Sequence, residues 1–365
     1  ACAGWKLYCY YAAYSKDRDL YSDLRDEVIK SEESNCLLCK HTDGIPTYHF
    51  AHAIDDHLMG TTDVIRGDEW ISSAPIHLQL FDILGFKTPR YAHISPIMKE
   101  DAETGGKRKL SKRKDPEAAV TFYHENGYPK EAVLEYLLTI ANSNFEEWRA
   151  ANPDADRSEF EFKLSNMSKA GALFDLMKLT DISKNYICRL DKDTVYNETL
   201  AWAEKYKPEF AALLKENKDY AIKIFGIERG NEKPRKDIAK WEDTVEYTRY
   251  FFSRPEKYEF ADNLSKADMT EILNTYKTVY SADETAEEWF PKVREMAVNL
   301  GYAKAPKVYK KDPDSYKGHV GDVATVIRVA VTGRRNTPDL YEIMQTLGYD
   351  ESIGRIDAAI DFLNA

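Results

Sequence analysis

Between Gly106 and Asp115 the chain reads Lys107-Arg108-Lys109-Leu110-Ser111-Lys112-Arg113-Lys114, six cations in eight residues. So dense a cluster suits a polyphosphate, whose charge it can neutralise and whose oxygens it can bond. A solvated charged face and a disordered basic arm are the other readings of such a run. The flanks weigh against both. Asp115 offers an N-cap oxygen, Pro116 fits a first helical position and Glu117 puts an acid in the first turn, with apolar Ala118, Ala119, Phe122 and Tyr123 behind them. A helix is predicted to begin there. Gly105 and Gly106 on the other side permit unusual backbone angles, so the run is predicted to be a mobile loop tied to a firm helix start.

Other residues with chemical potential are weaker candidates. Cys36-Leu-Leu-Cys39 has zinc-knuckle spacing, but no second pair lies near it and its interior is apolar, which favours buried thiols over a metal site. The neighbouring carboxylates Asp55 and Asp56 are of a kind that binds Mg²⁺, yet "HLMG" follows as a short helical turn and helix capping is the preferred reading. The eight histidines lack zincin spacing, and no Ser-His-Asp set can be argued. No metal held by protein ligands is expected.

The elements that must position these residues change character along the chain. The first 45 residues carry aromatics without a period. From 46 onward "PTYHFAHAI", "TDVIRGDE" and "RYAHISPIM" read as short strands, and 72–86 reads as a helix with Ile76, Leu80, Ile83 and Leu84 behind a Ser cap. Strand, helix, strand implies an α/β layer with parallel pairing. After Pro129 the pattern is helical to the end, with breaks near 151–158, 229–237 and 304–318. The last segment resolves into helices over 321–332, 338–347 (opened by Thr337-Pro338, closed by Gly348) and 351–363. No internal repeat is evident.

Composition bounds the function. A chain of 365 residues with 43% hydrophobic content can build two or three domains with real cores. The 51 Lys+Arg against 62 Asp+Glu give −11, which argues against nonspecific coating of nucleic acid but leaves room for local basic patches. Five scattered cysteines, at 2, 9, 36, 39 and 188, do not form a secreted disulfide framework, so a cytoplasmic location is expected. No run of 18 apolar residues and no signal-peptide pattern places the chain in a membrane.

The stretch 43–79, "DGIPTYHFAHAIDDHLMGTTDVIRGDEWISSAPIHLQ", followed by "KRKLSKRKDPEAAV", closely resembles bacterial glutamyl-tRNA synthetases, class I enzymes of the nucleotide-binding α/β type. "DG-PTYHFA", "DDHLMG-T", "VIRGDEW" and "KLSKRK" stand in the family's order at the family's spacing, and "LG…RIDAAI" near the C-terminus is similar too. The fold this implies is a partial class I nucleotide-binding, Rossmann-like α/β domain over 1–100. A K-M-S-K-S-type loop with a helical stem-contact domain then covers 101–225, and an all-helical anticodon-binding domain covers 226–365. The implied reaction joins L-glutamate to tRNA through a glutamyl adenylate, using ATP with Mg²⁺ as its phosphate counter-ion, in a monomer. Glutamine tRNA is a further possible substrate, and a catalytically inactive tRNA-binding protein is the rival reading.

The resemblance also implies roles for individual residues. "KLSKR" looks like the local K-M-S-K-S loop, so Lys109 and Lys112 are implied as the catalytic phosphate contacts, with Leu110 offering backbone to adenine. Ammonium groups there would stabilise charge that develops as pyrophosphate leaves. Tyr48, His52 and Arg66 fall at the amino-acid pocket, His52 where relatives often carry Asn. The Arg66 guanidinium would favour glutamate over glutamine, the substrate of a sister enzyme that resembles this one and lacks the arginine. An ordinary ion pair with Asp63 or Asp68 is the other reading of Arg66. Glu69 and Trp70 resemble residues near the ATP ribose and the adenylate, and Arg235 in "KPRKD" falls where a base-reading arginine is implied.

The second class I signature, H-I-G-H, is not found. "AHIS" at 92–95 has the wrong partners and follows the pocket motifs, where the family places its signature before them. The first half of the nucleotide-binding sheet is therefore expected to be absent, through truncation, a split enzyme or a paralogue that lost catalysis, with truncation preferred. On this reading the chain alone fails to charge tRNA.

Overall fold

A computed structural model describes residues 47–101, 104–167 and 171–365. The readings made for the first 45 residues, including the choice between buried thiols and zinc at Cys36 and Cys39, lie outside the described residues. The chain forms two compact units. One comprises the described residues up to Ser111 together with Leu138–Phe174, the other Lys112–Leu137 and Asp175–Ala365.

The first unit opens with α1 (Tyr48–Met59), β1 (Asp63–Gly67), α2 (Ala74–Ile83), β2 (Arg90–Ile94), β3 (Met98–Glu100) and β4 (Lys107–Lys109). β1 and β2 pair in parallel, Asp63 opposite Arg90 through Gly67 opposite Ile94, with α2 as the connection, as the pattern predicts. The strand expected over "PTYHFAHAI" is instead the helix α1. Its aromatic content points to a strand, but Phe50, Ala53 and Ile54 are spaced for a helix face, and they pack with Leu80, Phe81 and Leu84 of the next helix region. Gly60 ends α1 at φ 69° in the left-handed region, donating its N–H to Asp56 and His57 carbonyls. This also corrects the reading of Asp55 and Asp56 as caps of a short turn. They lie in the last turns of a helix that began at Tyr48, and the Asp56 carboxylate accepts from Thr61 Oγ1 (3.1 Å) and faces His52.

The basic run is not a loop throughout. Lys107–Lys109 forms β4, antiparallel to β3, with Gly105 at φ 68° in the turn between them. The N–H of Leu110 extends that ladder by one bond to Ile97 O (2.9 Å). Alternation does not reveal such a strand, because its side chains are all cationic. Beyond it the predicted helix start at Asp115 is a single 3-10 turn, Pro116–Ala118, and the α-helix proper, α3, covers Val120–Asn126.

The rest is helical: α4 (Lys130–Ala141), α5 (Asn144–Ala151), α6 (Leu176–Ile187), α7 (Lys192–Tyr206), α8 (Pro208–Glu216), α9 (Lys218–Gly226), α10 (Asp243–Phe252), α11 (Lys266–Val279), α12 (Ala286–Asn299), α13 (Pro306–Tyr309), α14 (Val320–Thr332), α15 (Leu340–Leu347) and α16 (Tyr349–Asn364). The three predicted C-terminal helices are present within two residues of their expected ends. Asp339, not Thr337, caps α15 by accepting from Glu342 N (2.9 Å), while the Thr337 carbonyl accepts from Arg328 (3.1 Å). Two cores fill the second unit, one around Val195, Trp202, Leu214 and Phe225, the other around Tyr250, Ile272, Trp289, Ile327 and Ile356. Arg355 is 1% exposed inside it, bonded to Glu351 Oε1 (2.9 Å) and to the carbonyls of Tyr250 and Val331.

Candidate functional site

The parallel pairing sets the site. Arg66 lies opposite His93 in the β1–β2 register, and a period of two puts Tyr91 on the same strand face as His93. Arg66 Nε therefore donates to His93 Nε2 at 3.0 Å, and its guanidinium carbon sits 4.8 Å from the Tyr91 ring centre. Behind the strands, α2 brings fully buried His77 to the other end of the guanidinium, with Nη1 at 2.7 Å from His77 Nδ1. Nη2 donates to the Trp70 carbonyl at 3.4 Å. None of these partners is a carboxylate. Asp63 is instead paired with Arg90 (2.7 Å), and Asp68 accepts from Ser95 (3.4 Å), so the ordinary ion pair considered for Arg66 is not formed.

The histidines form a directed set. Arginine can only donate, so His77 Nδ1 accepts, its proton is on Nε2, and Nε2 donates to His49 Nδ1 at 2.9 Å. The His77 pKa is pushed down to about 4, first by burial and then by the charges of His52, Arg66 and His49. His52 lies between Tyr91, whose hydroxyl is 2.8 Å from Nε2, and Asp56, 2.8 Å from Nδ1. Burial lowers its pKa despite the opposing pull of Asp56, and burial raises the Tyr91 phenol to about 12, so that hydroxyl keeps its proton near neutral pH.

The sequence-predicted residues meet in part. Tyr48, His52, Arg66, Glu69, Trp70 and Lys109 all belong to the first unit. Tyr48, 47% exposed, packs its ring 4.4 Å from Trp70 and 5.7 Å from His52. Glu69 and Lys109 pair directly, Nζ to Oε1 at 2.6 Å, and that bond holds the Glu69 carboxyl below its usual range. A Cβ on Gly67 would meet the Glu69 carboxylate at 2.0 Å, so glycine there keeps room for the pair. Leu110 has its N–H engaged within the hairpin. Lys112 is exposed and falls in the second unit, as does Arg235. Arg235 forks onto Asp237 (2.7 and 2.9 Å) and bonds Asn336 Oδ1 (3.1 Å); Nη1 makes none of these bonds. Nearby Arg229 is locked on the carbonyls of Phe225, Ile187 and Leu190 at 2.7–2.8 Å, a structural role.

Sequence reasoning missed His49, His77, Tyr91 and His93. The signal was available. Five of the eight histidines fall between positions 49 and 93, with His49 and His52 one turn apart and Tyr91 and His93 alternating on a strand. Among the described residues no group of three His, Cys, Asp or Glu is placed to hold a metal ion, in line with the hydrogen-bonded use of these imidazoles.

Comparison with known proteins bears on this arrangement. Residues 16–181 match the catalytic domain of the class I tRNA synthetases (E and Q), and residues 314–360 match an anticodon binding domain. Over those residues the chain is similar to the class I tRNA synthetases of the E and Q type. It is 50% identical to a glutamate–tRNA ligase of Clostridium beijerinckii over 93% of this chain and 62% of that protein. A glutamate–tRNA ligase of Acetivibrio thermocellus is also 50% identical, over 86% and 57%. Among solved structures, a glutamate tRNA ligase from Elizabethkingia meningosepticum in complex with its amino acid superposes with a TM-score of 0.61 at 26% identity, covering 89% of this chain and 62% of that one. The chain thus spans about three fifths of the length of the curated relatives it matches. The catalytic match reaches back to residue 16, further than the motifs that begin at 43. The fold class agrees: a class I catalytic domain carrying the few strands, with a helical anticodon-binding domain. Among the described residues no helix is long and apolar enough to cross a membrane.

Proposed function

We propose that this chain serves the ATP-dependent joining of L-glutamate to tRNA. The observation that carries the reading is Arg66, a half-buried guanidinium with neutral partners, in a family whose curated relatives are named glutamate–tRNA ligases. Three of its five N–H groups are engaged, which leaves one on each terminal nitrogen for a carboxylate. The side chain of L-glutamate supplies that carboxylate. Glutamine supplies an amide, which forms weaker, uncharged bonds with the same donors.

In this reading the glutamate α-carboxylate attacks the α-phosphate of ATP, the bond to pyrophosphate breaks, and a terminal ribose hydroxyl of tRNA then takes the acyl group and releases AMP. Tyr48 and His52 line the amino-acid pocket. Glu69, Trp70 and the Leu110 carbonyl face the nucleotide, and Lys109 and Lys112 meet its phosphates as charge develops on the leaving group. Lys109 exchanges Glu69 for phosphate, an exchange made easy by the solvent around both ends of that pair. Mg²⁺ enters with ATP as its phosphate counter-ion rather than on protein ligands.

Residues 101–225 supply the stem contact and 226–365 read the anticodon, with Arg235 as a base-reading candidate, in a cytoplasmic monomer; glutamine tRNA is a second substrate to test. Calorimetric titration of the chain with L-glutamate and L-glutamine, and anisotropy titration with glutamate tRNA, test the reading. Preference for glutamate and salt-sensitive tRNA binding are expected. A chain that binds glutamine as well as glutamate, or no tRNA at low salt, would overturn it.

A further inference from the structure

We propose that His77 and His93 are positioning residues for Arg66: two neutral imidazoles that aim the guanidinium while leaving its positive charge uncompensated for the substrate. The inference deepens the proposed function and rests on that reading of the pocket.

A buried or half-buried arginine is ordinarily satisfied by carboxylates, since its five donors need acceptors and its charge needs a counter-charge. Here the acceptors are present without the counter-charge. His93 Nε2 takes Nε–H, His77 Nδ1 takes an Nη1–H and the Trp70 carbonyl takes an Nη2–H, while the nearby carboxylates are engaged elsewhere, Asp63 by Arg90 and Asp56 by Thr61 and His52. Three acceptors on three nitrogens fix both the plane and the rotation of the fork. A carboxylate at either imidazole position would hold the fork as well but would cancel its charge, and the preference for an acidic substrate would go with it.

The tautomer of His77 is itself fixed from behind. Its Nε2–H has a partner in His49 Nδ1, so the ring cannot turn its protonated nitrogen toward Arg66 without losing two bonds in a fully buried place. Its depressed pKa agrees, because a proton added at Nδ1 would displace the Arg66 bond and set two cations side by side.

Two measurements on the full chain test this. In ¹⁵N-histidine-labelled protein, long-range ¹H–¹⁵N spectra at pH 7 report each ring's protonation directly. Expected is a neutral His77 with Nδ1 bare and Nε2 protonated, and a His93 with Nε2 bare, both unchanged on adding L-glutamate. A protonated His77 Nδ1 at pH 7 overturns the proposal whatever the variants do. The second measurement is the ratio of dissociation constants for L-glutamine and L-glutamate. His77→Asn keeps a neutral acceptor and is expected to keep the wild-type ratio; His77→Asp supplies a counter-charge and is expected to lower it by about tenfold or more. A role in packing alone would move both variants alike, and equal ratios in the two would overturn the proposal. If the wild-type chain shows no glutamate preference, the functional reading fails instead, while the imidazole spectra still decide the geometry.

Discussion

Replacing Arg66 by Gln is the most direct perturbation of the pocket, because it removes the guanidinium charge while keeping a polar side chain that can donate hydrogen bonds. An amide has two N–H groups against five, so the charge disappears together with the two N–H groups left over for substrate and at least one of the three that serve His93, His77 and the Trp70 carbonyl. A hydrogen bond to a charged group contributes about 1.5–3 kcal/mol, and two bonds to one carboxylate are not additive, so the loss for glutamate is set at one such bond or more. That corresponds to about 10-fold to about 150-fold in dissociation constant. The glutamine constant should move less, since its neutral amide forms weaker bonds with the same donors. Isothermal titration of both amino acids against wild type and variant reads the two constants, and a thermal melt of each protein confirms that the fold survives. Loss of affinity for both amino acids in equal measure would mean that Arg66 holds the pocket together rather than choosing its ligand. An unchanged glutamate constant would remove Arg66 from the pocket.

Three further outcomes follow from the geometry. His77 is depressed in the folded protein to about 4 from 6.5, so the unfolded chain binds the extra proton and stability falls as pH drops from about 6.5 toward 4; His77→Asn should flatten that limb in urea titrations at stepped pH, and an identical slope would refute it. Arg355→Ala should destabilise the second unit by about 3–5 kcal/mol, since it removes a buried guanidinium from Glu351 and from two buried carbonyls, and a loss below about 1 kcal/mol in urea unfolding would contradict that. In anisotropy titrations at two salt concentrations, Arg235→Ala should discriminate anticodon variants less well, while Lys112→Ala should leave tRNA affinity nearly intact. The reverse pattern would make the basic octamer an RNA contact.

Much of this was legible in the chain, and for physical reasons. β1, α2 and β2 announce themselves through their apolar spacing, and the C-terminal helices through Gly348 and their regular period. The first helix is hidden because Tyr48, Phe50 and Ile54 are strand-prone in isolation, while burial against Leu80, Phe81 and Leu84 decides the outcome. Lys107–Lys109 is hidden because three successive cations show no alternation, and their register against Met98–Glu100 is set by backbone pairing, about which that pattern is silent. In the site, Arg66 and Tyr48 could be read from motif order. His77 and His93 could not, because their partnership with Arg66 depends on the parallel register and on which face of α2 turns inward.

The donation that starts at Arg66 and passes through His77 to His49 has a consequence for how such a site can change over generations. Each bond in the series fixes which nitrogen of the next ring is bare, so the residues are not independent letters. A substitution at position 66 that lacks a donor strands a buried acceptor at His77, and one at position 77 that lacks both an acceptor and a donor leaves both Arg66 and His49 without their mates. Drift at any one of the three is therefore penalised until another changes with it, and a lineage that moved from an acidic to an amide substrate would be expected to cross this region by paired replacements rather than single steps.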